Sequence, residues 1–377
     1  VIQHATIRGY RALLDVGLDL VPLTVLIGAN ASGKTTTLRA LHDLMSLVGP
    51  FEPHNNRNGF LADLLPAEEI RARLSRCPGA RPSFSVEALG DRRLGFEARA
   101  PALGRPDWDC SYTVTVDGVR FELPSDDLGA GLSGALTGLQ PALLLSPEPD
   151  ALVDPAVPMT AAPTVGPDGS GLGATLQFLL GQRDGRFDEL EATVAAVIPQ
   201  IKRLRAVPRP FRQSTRRRVR IEGFPDLWSD QPAEQHGVAL QAEITGTGWI
   251  EAPHLSEGTL LVIALLTAAV ESSDRLLLVD DLERGLHPTA QQAVIRQLRS
   301  ILATRPRLQV VASTHSPYLL DELEASQVRV LALGPDGAAR CKRLDEHPEW
   351  EAWRRYGTRP GEFWSDGGEA WVLSVAP

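Results

Sequence analysis

The sequence has only three cysteines in 377 residues, Cys77, Cys110 and Cys341, and they lie far apart. That excludes a disulfide framework and a cysteine-based zinc set, and it makes reduced thiols the simplest reading. The eight histidines show no spacing suited to a metal-ligand set. Positive charge is also short: 38 Lys and Arg against 47 Asp and Glu leave a net charge of -9. Such a chain does not coat nucleic acid by bulk electrostatics, although a local basic face stays open. No apolar run reaches membrane length, and the opening VIQHATIRGY lacks the apolar core of a signal peptide. A cytoplasmic protein with no membrane contact is therefore expected. Self-similarity of solenoid period is missing, and so are the sustained heptads of a long coiled coil.

What is present has the composition of an ordinary globular chain, 43 % hydrophobic and 23 % charged. LTVLI (23–27) reads as a strand. It runs into GANASGKTTTLRALHDLMSLV, where Leu38, Leu41, Leu44, Met45 and Val48 recur at helical spacing until Gly49 and Pro50 end the helix. SFSVEAL, LGFEARA and SYTVTVDGVRFEL alternate like antiparallel strands, with a hairpin turn at VDGV. GAGLSGALTG and the Gly- and Pro-rich stretch 146–171 read as loops, and LGATLQFLLG and FDELEATVAAVIPQI as helices. After 255, helices over 258–271, 289–303 and 317–324 alternate with apolar strands over 276–280, 308–313 and 328–333. That is the pattern of a parallel sheet covered on both faces. The expected class is α/β. An N-terminal half spans 1–50, an inserted lobe of antiparallel strands and helices 51–250, and a C-terminal half 251–340. The tail, 341–377, holds four of the seven tryptophans, which should pack onto the body or a partner.

GANASGKT fits G-x-x-x-x-G-K-[ST], placed between a strand and a helix as the motif requires. Gly28, Ala29, Asn30, Ala31, Ser32 and Gly33 would turn successive backbone N–H groups toward a phosphate, and the helix start through Thr36 adds partial positive charge. Lys34 would reach the β- and γ-phosphates, and the Thr35 hydroxyl would ligate Mg²⁺. In LLLVDDLERGLHP (276–288) a buried strand stops at Asp280, Asp281 and Glu283. Unpaired acids are costly at such a tip, so they must serve a cation, a water or each other. HLSEGTLLVIALLTAAV puts Ser256 at a helix N-cap beside Gly258, either a second anion site or an ordinary cap. GLSGA at 131–135 also contains Leu-Ser-Gly, but no apolar helix and acidic strand follow it. KRLRAVPRPFRQSTRRRVR, from Lys202 to Arg220, is strongly basic with Phe211 interleaved. It reads as a DNA or RNA surface, or else as a solvated loop or a dock for an acidic partner.

Together IRGYRAL, GANASGKT, GPDGSGL (166–172), LSEGT, LLLVDDLERGLHP and STHSPYLL (313–320) make the chain resemble the RecF/SMC-like and OLD-like ABC-type ATPases, often described as AAA-type ATP-binding proteins of bacteria. The resemblance implies a P-loop NTPase fold: an ABC/SMC-head-like, mostly parallel sheet flanked by helices, with an antiparallel β subdomain and a helical lobe inserted. It implies ATP and Mg²⁺ as cofactors, with Asp280 holding the metal and His315 donating a hydrogen bond to the γ-phosphate. Many relatives carry a catalytic glutamate directly after that aspartate. Here the position is Asp281, one methylene shorter. Either Asp281 is a slow base with Glu283 as helper, or Glu283 takes the task, or both only cap the loop. The resemblance further implies a homodimer formed through ATP, in which Ser256 and Gly258 of one copy close over the γ-phosphate held by the other. His287 serves either the dimer contact or loop packing, and Arg8 and Arg11 either touch nucleotide or are surface arginines. Relatives that cut nucleic acid carry a Toprim domain after the ATPase. Only about sixty residues follow His315, without a D-x-D triplet, so a separate effector protein is expected. The implied role is a switch or sensor in anti-phage defence or genome maintenance. The alternatives are a RecF-like DNA-binding repair ATPase and an ATP-bound scaffold with negligible turnover.

Overall fold

The computed structural model describes residues 1–48, 83–90, 92–99, 111–123, 142–158, 160–219, 227–271 and 275–374. The GLSGA stretch and the helix end expected at Gly49 and Pro50 lie outside them. The chain divides into two compact units, Val1–Leu145 with Ser272–Pro377, and Ser146–Glu271.

The first unit opens with a hairpin of β1 (Ile2–Tyr10) and β2 (Leu13–Asp19), then β3 (Leu23–Ile27), wholly buried, and helix α1 (Lys34–Val48). Strands β4 (Ser83–Gly90), β5 (Arg93–Arg99), β6 (Ser111–Val116) and β7 (Val119–Leu123) continue the hairpin into an antiparallel sheet of order β2-β1-β4-β5-β6-β7. Between β6 and β7, Asp117 and Gly118 take φ of 50° and 88°, the positive pair a two-residue hairpin needs. β8 (Ala142–Leu145) closes this segment.

The second unit holds α2 (Pro149–Val153), α3 (Leu172–Gln182), α4 (Arg186–Val197), the long strands β9 (Ile201–Val219) and β10 (Leu227–Ile244), β11 (Gly248–Glu251) and α5 (Glu257–Glu271). Twelve of the fifteen residues of α5 are buried, which explains its unbroken apolar sequence.

The first unit resumes with β12 (Leu276–Val279), α6 (Pro288–Thr304), β13 (Gln309–Thr314), α7 (Pro317–Leu320), β14 (Val328–Leu333) and β15 (Ala339–Arg343), then α8 (Trp350–Arg355) and α9 (Pro360–Gly367). Its second sheet runs β15-β14-β3-β13-β12-β8, parallel except for β15. Leu38, Leu41 and Leu44 of α1 share one core with Ile7, Val86 and Phe96 of the antiparallel sheet and with Leu276, Leu278 and Val311 of the parallel one. Each such side chain contributes about 1.5–3 kcal/mol through burial. Gln309, 1 % exposed, ties the sheets together: its Nε2 donates to the Ile2 carbonyl at 2.7 Å and its Oε1 accepts the Ile2 N–H at 2.9 Å. Arg329, also buried, donates to the carbonyls of Asp19 and Ser326 at 2.6 Å. These two buried polar side chains are thus paired, as a dry interior demands.

Four features differ from the sequence reading. The units do not divide at 50, 250 and 340, because β4 pairs with β1 and carries the antiparallel strands into the first unit. The basic stretch, for which a solvated loop was one of the readings, is a strand as far as Val219: β9 pairs with β10 along its length, with Arg216 opposite Asp230 and Arg212 opposite Glu234 in register. Pro208 and Pro210 are tolerated because β9 is the edge of the order β11-β10-β9. The stretch read as a loop over 146–171 contains the short α2. The helix expected over 317–324 stops at Leu320, where the chain tightens into turns and the Asp321 carboxylate accepts the Gly361 N–H at 3.1 Å. The tail packs within the first unit: the rings of Trp350, Trp353 and His347 meet Phe363 edge-on.

Among the described residues no helix is long and apolar enough to cross a membrane.

Candidate nucleotide site

β3 hands the chain to the loop 28–33, which turns back into α1. A Cβ on Gly28 would lie 2.1 Å from the Leu331 carbonyl oxygen, so only glycine fits. Gly33 turns the loop at φ 106°. Ala31 sits at φ 64°, a conformation that costs a side-chain-bearing residue about 1 kcal/mol. The first N–H groups of α1 carry the helix's partial positive charge. Lys34 is 5 % exposed and its ammonium donates to the Gly28 and Ala29 carbonyls, both at 2.9 Å. Burial pushes its pKa down, while Asp281, Asp280 and Glu283 pull it up. The Ser32 hydroxyl is buried without a hydrogen-bond partner, an orphan that a phosphate oxygen would satisfy.

The acids stand at the end of β12. Asp280 Oδ1 accepts from the Thr35 hydroxyl at 3.0 Å and from the Ser313 hydroxyl at 2.6 Å. Ser313 in turn accepts the Asp281 N–H at 2.9 Å. Asp281 takes φ 51°, a left-handed turn that aspartate tolerates better than most residues. Burial raises its pKa, reinforced by Asp280 and Glu283 and opposed by His315 and Lys34. Glu283 accepts from the Thr314 hydroxyl and from the His315 backbone N–H, each at 2.7 Å. Lys34, Thr35, Asp280, Asp281, Glu283 and the His315 backbone are therefore gathered within the first unit.

Ser256 and Gly258 lie in the second unit. The Ser256 hydroxyl is exposed and satisfied locally: it accepts the Thr259 N–H at 3.3 Å and shares a hydrogen bond with the Thr259 hydroxyl at 2.9 Å. Gly258 is buried. His287 caps α6, accepting from the Thr289 N–H at 3.4 Å. Arg8 faces Asp15 at 3.2 Å and Glu87 at 3.6 Å.

Two residues of this cluster escaped the sequence reading. Ser313 is the last residue but one of a wholly buried strand, and a hydroxyl so near its tip was the available signal. Gln291 bridges α6 to both loops: its Oε1 accepts from the Ser316 hydroxyl at 2.5 Å and its Nε2 donates to the Leu286 carbonyl at 2.8 Å. It shares the apolar helical stripe of Val294, Leu298 and Ile301, where a glutamine is out of place unless it has a task.

The donor set suits magnesium. Among the described residues no three His, Cys, Asp or Glu side chains converge as a metal cage. One hydroxyl and one carboxylate beside a phosphate loop are instead the oxygen donors with which Mg²⁺ completes a shell of phosphates and water.

A family model described as "AAA domain, putative AbiEii toxin, Type IV TA system" matches residues 23–103 and 170–321, well over half of the sequence. The chain belongs to this family. It carries an AAA-type ATPase domain, and short segments of it resemble three curated proteins. Septu protein PtuA of Bacillus thuringiensis is 29 % identical over 75 residues, 20 % of this chain and 18 % of that protein. The Retron Vc95 probable ATPase of Vibrio cholerae serotype O1 biovar El Tor is 32 % identical over 56 residues, 15 % of this chain and 10 % of that one. The OLD nuclease of Thermus scotoductus is 38 % identical over 50 residues, 13 % and 10 % of the two chains. The matches thus span less than a fifth of each relative's own length. An SMC head, solved bound to the C-winged helix domain of ScpA, superposes with a TM-score of 0.58 at 12 % identity, covering 93 % of this ATPase and 99 % of that chain. The expected fold class, an SMC-head-like α/β ATPase with antiparallel and helical subdomains, is the one found.

Proposed function

We propose that this ATPase is a nucleotide-operated switch: two copies close around ATP and Mg²⁺, and hydrolysis to ADP and phosphate releases them. The observation that carries the reading is the 3.0 Å contact between the Thr35 hydroxyl and the Asp280 carboxylate, 245 residues apart in sequence. It supports a metal held between the phosphate loop and the acidic strand tip, the arrangement P-loop enzymes use.

In this reading the loop amides from Gly28 to Thr36 cradle the phosphates, Lys34 leaves its carbonyl partners for the β- and γ-phosphates, and Thr35 and Asp280 hold Mg²⁺. The metal would neutralise charge that builds on the phosphate oxygens during transfer. Asp281 orients the attacking water, and the His315 ring donates to the γ-phosphate. Ser256 and Gly258 of the second copy complete the shell around that phosphate, the Ser256 hydroxyl exchanging its Thr259 contact for an anion.

The kinship with Septu, retron and OLD proteins supports a cytoplasmic defence or genome-maintenance role with a separately encoded effector. Nucleic-acid contact through the basic residues of β9 would have to displace the ion pair of Arg209 with Glu251. Charge reversal at Arg216, Arg217 and Arg218 should abolish salt-sensitive DNA binding if β9 provides it.

The deciding experiment is mass photometry of Asp281→Asn protein with ATP and Mg²⁺. A dimer that Ser256→Arg abolishes is expected; a monomer at every nucleotide and metal concentration ends the proposal. The aspartate at position 281 favours one second reading, an ATP-bound scaffold that hardly turns over, which persistent dimers without phosphate release would select.

A further inference from the structure

Glu283 and Gln291 are wired to the same short segment. Glu283 takes the hydroxyl of Thr314 and the backbone N–H of His315. Gln291 takes the hydroxyl of Ser316 and, through its amide nitrogen, holds the carbonyl of Leu286. Three consecutive residues, 314 to 316, are thus fixed to the loop that begins at Asp280 and ends at His287. Thr314 and Ser316 are buried, and the Ser316 N–H closes the turn onto the Thr314 hydroxyl at 3.0 Å. The His315 side chain between them is exposed. A buried glutamine has little reason to sit among the apolar residues of α6 unless its amide satisfies groups that would otherwise be orphaned.

We infer that Glu283 and Gln291 form a clasp that holds His315 in register with Asp281, so that Glu283 is a positioning residue and takes no proton in the reaction. Both carboxylate oxygens of Glu283 already accept short hydrogen bonds, and a base needs an oxygen turned toward its water. The Asp281 N–H is tied to Ser313, the residue just before the clasped segment. The acid and the histidine are therefore set by one hydrogen-bonded frame. Leu286 directly precedes His287, so Gln291 also connects the exposed end of that loop to the segment beside His315.

The inference rests on the hydrolytic reading above, and its test separates the two. Glu283→Ala removes both acceptors, and a displacement near an ångström lowers single-turnover hydrolysis by roughly a hundredfold. Glu283→Gln keeps the frame, because the amide oxygen can take the His315 N–H while its NH₂ meets the Thr314 hydroxyl. It should restore the rate to within a few-fold of wild type, although a glutamine accepts no proton. Amide hydrogen exchange over residues 312–320 gives a readout independent of turnover. At least tenfold faster exchange is expected in Glu283→Ala, a smaller increase in Gln291→Met, and near-normal protection in Glu283→Gln. A Glu283→Gln protein that keeps protection yet has lost hydrolysis makes Glu283 a base and overturns the inference. Unchanged exchange in Glu283→Ala overturns it equally. Absence of phosphate release from the wild type would instead remove turnover from the proposed function, and the exchange result would still decide the clasp.

Discussion

The strand tips of the first unit and the start of α5 in the second both offer polar atoms suited to an anion or its metal, yet they are built in opposite ways. At the tips, Asp280 and Glu283 each accept two hydrogen bonds, from Thr35, Ser313, Thr314 and His315, and Lys34 is nearly buried beside them. At the start of α5 one exposed hydroxyl rests against its own helix turn, its described partners both supplied by Thr259. The first arrangement is prepared in advance, with orientation already settled by the fold, and preorganised groups lose little on binding. The second is satisfied but idle. Ligand capture should therefore belong to the first region alone, and the second should act only after capture.

Three substitutions or conditions would break or sharpen that contrast. The largest effect is expected at the strand tip, where Asp281→Asn should slow single-turnover hydrolysis by about 10²–10⁴-fold while nucleotide still binds. A rate equal to wild type would move the chemistry elsewhere. Next, Ser256→Ala should cost about 1 kcal/mol of stability through the lost cap and should leave the affinity of a fluorescent ATP analogue unchanged. If affinity in dilute monomer falls with Ser256→Ala, the two regions are not independent in the way described. The smallest effect lies outside both. Burial holds the pKa of His347 below its ordinary 6.5, although Glu349 raises it, and its ring packs edge-on against Phe363 and Trp371 at 4.8 and 4.9 Å. The unfolded chain takes up a proton first, so this packing contributes fully above about pH 6.5 and weakens as pH falls through the lower folded value. Tryptophan emission should report a loosening of the tail on acidification that His347→Phe suppresses; an identical pH response in that variant would refute the assignment.

How much of this was legible in the residues depended on how locally each feature is encoded. The β3–α1 unit and the β12, β13 and β14 strands were readable because a doubly covered parallel strand has no polar face to confuse its pattern. The β4–β7 strands were readable through alternation, and their turn through Asp117 and Gly118. The β9–β10 pair was not. Its proline and arginine content argues against a strand, and only its edge position, a property of the whole sheet, makes it acceptable. In the site, the P-loop motif and the acidic tip can be spotted one segment at a time. The bonds of Ser313 to Asp280 and of Gln291 to Ser316 join residues 33 and 25 positions apart. A polar residue on an apolar stripe announces that something is there, but not what it touches. The division into units was missed for a similar reason: pairing of β4 with β1 is long-range, and nothing local to either strand marks it.

The Leu331 carbonyl behind Gly28 has a practical consequence for anyone wishing to empty the nucleotide site on purpose. A methyl group at that position would strike a main-chain atom of the neighbouring strand whether or not ATP is there. Gly28→Ala is therefore a lesion of architecture as well as of affinity, and its phenotype would mix the two. Lys34→Ala adds no bulk and removes only the ammonium's bonds to the Gly28 and Ala29 carbonyls, so it is the cleaner test of the proposed site.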